Sequence, residues 1–160
     1  MARGMTKQGY DGIQAEIHEL WHKTRPLVVR EVQEAAALGD RSENAAYIYG
    51  KKRLRQIDGR LRYLKNKIAG VVPVDLAGQK PTPHIRFGAV VVVEDEDGER
   101  RTYRLVDKDE SDPKGGRISV QSPVGRALLG KEEGDAVVVK RPSGPMELEI
   151  VEVRYGAGPP

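Results

Sequence analysis

A narrow stripe of apolar side chains between residues 47 and 68 constrains the fold more than any other feature of the sequence. From Leu54 onward the apolar positions are separated alternately by three and four residues, which is the spacing of a coiled-coil seam. A helix with so narrow an apolar face needs a partner helix to cover it. The stripe consists of Tyr47, Leu54, Ile57, Leu61, Leu64 and Ile68.

The partner helix is predicted in the preceding part of the chain, where apolar residues recur with a looser helical spacing. Pro26 interrupts this pattern, and we expect a kink or a short break there because proline lacks the backbone N–H. Only the sequence LGDRSEN separates the two helical segments, and so short a connection makes them antiparallel neighbours. Residues 1–72 are therefore predicted to form an antiparallel coiled-coil hairpin. The apolar residues of the first arm are Ile13, Ile17, Leu20, Leu27, Val28, Val32 and Ala35.

The predicted tip of the hairpin, residues 39–44, carries two acidic side chains. Gly39 suits the left-handed backbone conformation that follows a helix end. Asp40 or Ser42 can cap the next helix, and Glu43 stands three residues after Asp40, which is the spacing of a capping box. A helix cap is the simplest interpretation of the two acids from spacing alone. The second helix is predicted to be roughly 40 Å long, which places the tip far from the rest of the protein.

The second predicted helix is strongly basic. Residues 51–67 hold eight bases and a single acid, Asp58, and this local charge of +7 favours a polyanion partner more than the net charge of +3 does. Arg53, Arg60 and Lys67 recur every seven residues beside the seam and are predicted to form a stripe that contacts nucleic acid. The alternative is a solvated flank of a coiled coil. The eight bases are Lys51, Lys52, Arg53, Arg55, Arg60, Arg62, Lys65 and Lys67.

After residue 68 the sequence changes to strand patterns. Glycines and prolines mark residues 73–84 as a linker, with a short strand at 71–76. Residues 85–155 are predicted to form a small antiparallel sheet with one short helix, in which Ser122 is the N-cap and Pro123 the first helical residue, which makes the fold α+β. The tail, residues 156–160, is predicted to be disordered. The predicted strands are Arg86–Glu94, Glu99–Val106, Gly116–Gln121, Asp135–Lys140 and Met146–Tyr155, with a hairpin turn at Asp97-Gly98.

Several classes of protein and site are disfavoured. The chain has no cysteine, which excludes disulfides and thiolate metal sites, and it has no apolar run of the length that a secretory signal or a membrane span needs.

The segment from His18 to His22 reads HELWH and matches a zinc protease motif. A zinc protease also needs a third ligand and a cleft, and the only other histidine is His84 beyond the linker. We expect the two histidines to be flank residues of the first arm.

Two long segments resemble one known family. GDRSENAAYIYGKKRLRQIDGRLRYL, residues 39–64, is similar to the tip and second helix of the Gre family of bacterial transcript cleavage factors, nearest the GreB type. SPVGRALLGKEEGD, residues 122–135, is similar to the C-terminal signature of the same family. The resemblance covers nearly the whole chain in the right order, and it implies an FKBP-like C-terminal domain.

The resemblance also implies a function. In this family the C-terminal domain docks on the β′ subunit at the rim of the secondary channel of bacterial RNA polymerase, which here implies docking through Gln121, Ser122 and Pro123. The coiled coil enters the channel and brings Asp40 and Glu43 to the Mg²⁺ site of the polymerase, which then cleaves backtracked RNA. Ser42 and Asn44 would support the tip, and the basic helix would contact the nascent RNA 3′ end. The chain itself would be no enzyme, would bind no cofactor alone, and would act as a cytoplasmic monomer.

Two positions depart from the family pattern and keep alternatives open. Ala46 and Gln121 stand where relatives often carry an acid. The first alternative is therefore a channel-binding modulator or inhibitor of the same fold that does not stimulate cleavage. The second alternative is a general nucleic-acid-binding coiled coil. A prolyl isomerase is disfavoured, because the second half has only three aromatic residues to line a pocket.

Overall fold

The computed structural model describes residues 3–39 and 43–160. The described chain divides into two compact units, of which one comprises residues 10–70 and the other combines residues 3–9 with residues 71–160. Asp40, Arg41 and Ser42 lie outside the described residues. Among the described residues, no helix is both long and apolar enough to span a membrane.

The helical unit is the predicted antiparallel hairpin. Its first arm consists of α1 (Lys7–Glu19), a π-helical segment (Leu20–Thr24) and α2 (Arg25–Ala37), and its second arm is the single helix α3 (Ala45–Ile68). Gly39, just past the end of the first arm, has a φ of 126°, a positive value that favours glycine as predicted.

The apolar seam between the arms is confirmed and contains one residue that the apolar pattern misses. Val28 of the first arm is buried against Ile57 and Leu61 of α3. Gly50 is also buried, and it completes the alternation of three and four residues between Tyr47 and Leu54. A Cβ atom at Gly50 would lie 2.7 Å from Cγ2 of Val32, so only glycine fits at this point without displacement of the partner arm.

The interruption at Pro26 is a wide helical turn rather than a break. The backbone N–H of Arg25 bonds to the carbonyl oxygen of Leu20, five residues earlier, and Pro26 lies in the first turn of α2. A proline ring clashes with the carbonyl group four residues before it in an α-helix. The π-helical turn relieves this clash because it widens the helix immediately upstream.

The second unit contains a mixed sheet of five strands, and each strand lies within its predicted segment. Strands β4 (Arg100–Val106) and β5 (Arg117–Ser119) run parallel, whereas the other neighbours are antiparallel, so the prediction of a purely antiparallel sheet is wrong at this edge. The cause is the connection from β4 to β5, whose two short 3₁₀ turns, Lys108–Glu110 and Pro113–Gly115, carry the chain back before β5 begins. In spatial order the strands are β5 (Arg117–Ser119), β4 (Arg100–Val106), β3 (Val90–Glu94), β7 (Met146–Arg154) and β6 (Ala136–Val139).

A two-stranded parallel sheet adds a strand that was not predicted. β1 (Arg3–Thr6) pairs with β2 (Val71–Val74), so the first residues of the chain belong with the second unit rather than with the hairpin. Met5 is buried, and the backbone N–H of Thr6 donates to Oε1 of Glu110 at 2.8 Å.

The core of the second unit lies between the five-stranded sheet and α4 (Pro123–Leu128). This helix confirms the predicted short helix, and its Leu128 is fully buried. The sheet contributes a buried set of aliphatic side chains, which includes Val91, Val93, Leu105, Val139 and Ile150.

The C-terminal tail, which its composition predicts to be disordered, is instead bonded to the sheet. Arg104 of β4 is only 3% exposed, and its guanidinium donates to the carbonyl oxygens of Gly156 and Gly158 at 2.8 and 2.9 Å. A third bond at 2.8 Å joins it to the carbonyl oxygen of Gly88. Burial, followed by the charge of Arg154, lowers the pKa of Arg104. A buried guanidinium needs hydrogen-bond acceptors, and the tail provides two of them.

Candidate functional site

The start of α3 is capped by Asn44, whereas the capping-box spacing predicts Asp40 or Ser42, which lie outside the described residues. The Asn44 side chain accepts a hydrogen bond from the backbone N–H of Tyr47 at 3.1 Å, which is an N-cap interaction. Its Nδ2 atom also donates to the carbonyl oxygen of Ala35 at 2.7 Å. One side chain therefore closes the start of the second arm and ties it to the end of the first.

Because Asn44 is the cap, Glu43 precedes the helix and cannot fill the third helical position of a capping box. Its side chain is exposed, and it makes no hydrogen bond or ion pair with the other described residues. Carboxylate oxygens are the ligands that Mg²⁺ prefers, and Mg²⁺ is commonly held by one or two carboxylates together with phosphate oxygens and water. Glu43 is thus available as one such ligand. Its predicted partner Asp40 and the supporting residue Ser42 lie outside the described residues.

Two of the three residues in the predicted basic stripe form ion pairs across the hairpin. Arg60 donates to both carboxylate oxygens of Glu16, at 3.1 and 3.0 Å, and Arg53 lies 3.9 Å from Glu31. The hydrogen bond with Glu16 raises the pKa of Arg60. Exposed ion pairs contribute little to stability, but they reduce the positive charge that this flank offers to a ligand.

The opposite flank is paired as well. Asp58 accepts hydrogen bonds from Arg25 at 2.8 and 3.5 Å, and this bonding raises the pKa of Arg25. Arg25 and Lys65 both lie near the ring of Trp21, at 5.4 and 5.3 Å from its centroid. These distances are typical of cation–π contacts.

Three cations of α3 without an acidic partner among the described residues lie on its outer face. Lys52, Arg55 and Arg62 are exposed, and none of them forms an ion pair with another described residue. At 100° per residue these three positions point away from the seam. Lys51 likewise has no acidic partner in the described part of the chain, but it is half-buried. The sequence predicts the total charge of the helix, whereas the contacts of the first arm decide which cations are free.

The predicted docking residues lie at the start of α4. The Ser122 hydroxyl caps this helix by accepting from the backbone N–H of Gly125 at 3.1 Å, as predicted, and Gln121 and Pro123 are exposed. Ser122 and Pro123 line a groove of about 560 Å³ together with Tyr103 and Val124. The cap therefore fixes the backbone that presents Gln121 and Pro123 to solvent.

The two histidines of the HELWH segment lie side by side on the first arm, with ring centroids 4.5 Å apart. Across residues 3–39 and 43–160, no group of three or more histidine, aspartate or glutamate side chains is arranged to hold a metal ion.

Models of known protein families match both halves of the chain. The model described as "Transcription elongation factor, N-terminal" matches residues 4–72. The model described as "Transcription elongation factor, GreA/GreB, C-term" matches residues 80–155. The chain belongs to the GreA/GreB family of transcription elongation factors. The two matches together include residues 39–64 and 122–135, the two segments that resemble the Gre family, and the hairpin that carries Glu43.

Two relatives with similar sequences agree with this assignment. The chain is 48% identical over 157 residues to the transcription elongation factor GreB of Pseudomonas aeruginosa, with 97% of this chain and 92% of the relative covered. It is 43% identical over 152 residues to the transcription elongation factor GreA of Halorhodospira halophila, with 94% and 96% covered. Among solved structures, the GreA factor homolog 1 of Thermus thermophilus matches with a TM-score of 0.42 and 24% identity over 96% of this chain and 99% of that one.

Proposed function

We propose that the chain binds bacterial RNA polymerase at its secondary channel and stimulates endonucleolytic cleavage of the RNA 3′ end in backtracked complexes. Membership of a family of transcription elongation factors supports a polymerase partner. The observation that carries the finer proposal is the state of Glu43, which is exposed, unpaired with the other described residues and placed directly before a capped helix start.

The role of the tip follows from the chemistry of its residues. Glu43 and Asp40 would both contribute carboxylate oxygens, and Asn44 would hold the backbone of Glu43 in place through its bonds to both arms. Mg²⁺ of the polymerase, when bound, supplies the charge stabilisation that a phosphoryl displacement needs. The chain would therefore provide ligands in trans, and the polymerase would remain the enzyme.

Two further surfaces would support this role. Gln121, Ser122 and Pro123 would dock on the β′ subunit at the channel rim, because the cap of α4 presents them on a fixed backbone. The outer cations of α3 would contact the nascent RNA 3′ end, because they have no acidic partner among the described residues.

The proposal predicts that Asp40→Asn and Glu43→Gln each reduce stimulated cleavage at least about 100-fold, since each removes a charged ligand that acts at the reacting phosphate. Affinity for the polymerase should stay within about twofold of the unmodified chain. The measurement is the rate of RNA shortening in purified halted complexes at saturating factor, together with a separate binding titration. Glu34→Gln is the matched control, because Glu34 is an exposed acid of α2 with no partner in the described residues. Normal cleavage with both tip variants would refute the assignment of the tip acids.

A second candidate function is a channel-binding inhibitor without cleavage stimulation. It is favoured by Ala46, which is exposed in the first turn of α3, a turn that contains no acidic residue. The same assay separates the two functions, because the inhibitor would slow elongation and leave the length of the halted RNA unchanged.

A further inference from the structure

Three large aromatic side chains are exposed on the hairpin, and they differ in what covers their rings. Trp21 lies near Arg25 and Lys65, and Tyr63 lies near Arg60 and Lys67 at 5.4 and 5.6 Å from its ring centroid. Tyr49 is 67% exposed and has no ring contact, hydrogen bond or cation over its ring among the described residues. Among these three exposed rings, it is the one whose faces remain open to a ligand.

The position of Tyr49 adds a second observation. It lies in the second turn of α3, about 7 Å along the helix axis from the cap residue Asn44. Lys52 stands three residues later on the same outer face, is exposed, and has no acidic partner in the described chain. An open aromatic ring beside a free cation is the combination that binds single-stranded nucleic acid, since the ring stacks on a base and the cation contacts a phosphate.

We propose that Tyr49 stacks on an unpaired base of the displaced RNA 3′ segment and that Lys52 contacts a neighbouring phosphate. This inference rests on the proposed function, because it places the RNA 3′ segment along the second arm. Tyr49 would act as a positioning residue, which holds the RNA so that the tip acids reach the phosphate to be displaced. The surplus of bases on this helix favours RNA over a protein surface as the occupant.

The test measures stimulated cleavage on complexes backtracked by a defined number of nucleotides. Tyr49→Ala should lower the cleavage rate at saturating factor at least about fivefold, which corresponds to the loss of one stacked base. Tyr49→Phe should retain the rate, because stacking needs the ring and not the hydroxyl group. Tyr63→Ala should also retain the rate. Tyr63 lies on the same face 14 residues later, but two cations already lie over its ring. An unchanged rate with Tyr49→Ala would overturn the inference.

A crosslinking measurement tests the contact without cleavage. A photoactivatable base at the RNA 3′ end, with the chain carrying Glu43→Gln, should crosslink to the start of α3, and Tyr49→Ala in this background should abolish that crosslink. Crosslinking to polymerase alone, or a loss of polymerase affinity with an unchanged saturated rate, would show that Tyr49 contacts protein and would overturn the inference. Failure of the unmodified chain to stimulate cleavage would instead refute the proposed function, while the crosslink would still report on the RNA contact.

Discussion

Gly50 sets how closely the two arms of the hairpin approach each other. Its missing side chain leaves room for Val32, whose Cγ2 atom would lie 2.7 Å from an added Cβ. Val32 is β-branched and has little rotational freedom at χ1, so it cannot easily move aside. Gly59 of the same helix has open space around it, and nothing lies within 4 Å of the corresponding Cβ position. A methyl group added at Gly50 would thus overlap Val32, whereas one added at Gly59 would lie in open space.

We expect Gly50→Ala to lower the free energy of unfolding by about 1–2 kcal/mol, because the cost of overpacking exceeds the gain in helix propensity. Gly59→Ala is the matched control and should raise it by about 0.5–1 kcal/mol. Urea unfolding followed by the fluorescence of Trp21, the single tryptophan, measures both. Stabilisation by both substitutions would show that the seam accommodates a methyl group at residue 50.

Residue-scale predictions from the sequence succeed where the signal is local. The cap of α4 at Ser122 and the positive φ of Gly39 are confirmed, because each depends on its immediate neighbours. The cap of α3 is predicted wrongly, because Asp40, Ser42 and Asn44 are all good cap residues. Asn44 also bonds to the carbonyl group of Ala35, which is nine residues away and so leaves no local signal in the sequence.

At the scale of elements, α3 has three faces with different electrostatic roles. One flank pairs with Glu16 and Glu31, the other pairs with Arg25 and packs by Trp21, and the outer face keeps its cations free. The heptad spacing of the sequence locates the flanks, but it does not show which acids of the first arm lie opposite. That depends on the register of the hairpin, which the burial of Gly50 against Val32 fixes.

We expect the simultaneous substitutions Lys52→Gln, Arg55→Gln and Arg62→Gln to weaken binding to backtracked complexes and to flatten its salt dependence. Each phosphate contact to a single strand contributes about 0.7 to the slope of log K against log salt, so the slope should fall by up to about 2. The control is Arg53→Gln with Arg60→Gln, which removes cations that are already paired. Titrations at several salt concentrations measure both slopes. Equal changes in the two variants would contradict the division of the helix into paired and free faces.

The strands also show that sequence patterns identify local elements but not long-range pairing. The five strands of the main sheet are found in their predicted segments because β-branched runs and turn residues mark them. β1 is missed because Arg3–Thr6 is short, contains a glycine and has no alternating pattern. Its stability comes from a partner at Val71–Val74, and such long-range pairing leaves no periodic signal in the sequence.

At the scale of the whole molecule, residues 156–160 form part of the second unit, although their composition predicts that they are disordered. Arg104 is buried without a carboxylate among the described residues that bonds to it, and two of its three acceptors belong to residues 156–158. A glycine- and proline-rich segment gives no sequence signal for this role, because the bonds use only its backbone carbonyl groups.

Removal of residues 156–160 should destabilise the second unit by about 1–3 kcal/mol, since the buried guanidinium loses two acceptors and water replaces them only in part. Removal of Pro160 alone should leave stability nearly unchanged, because the backbone carbonyl groups of Gly156 and Gly158 both remain. Thermal unfolding followed by circular dichroism compares the two truncations. Equal stability of the longer truncation and the full chain would show that Arg104 needs no acceptors from the tail.

The pairing of β1 with β2 has a consequence for the biosynthesis of the chain. The two strands are adjacent in space, yet the whole helical unit, residues 10–70, is translated between them. A nascent chain that has just passed residue 70 contains both arms of the hairpin, but β1 still has no strand to pair with. The second unit is complete only after residues 156 and 158 have left the ribosome, since Arg104 takes acceptors from both. Strand β1, although it is translated before both arms of the hairpin, is thus among the last elements that can reach its final place.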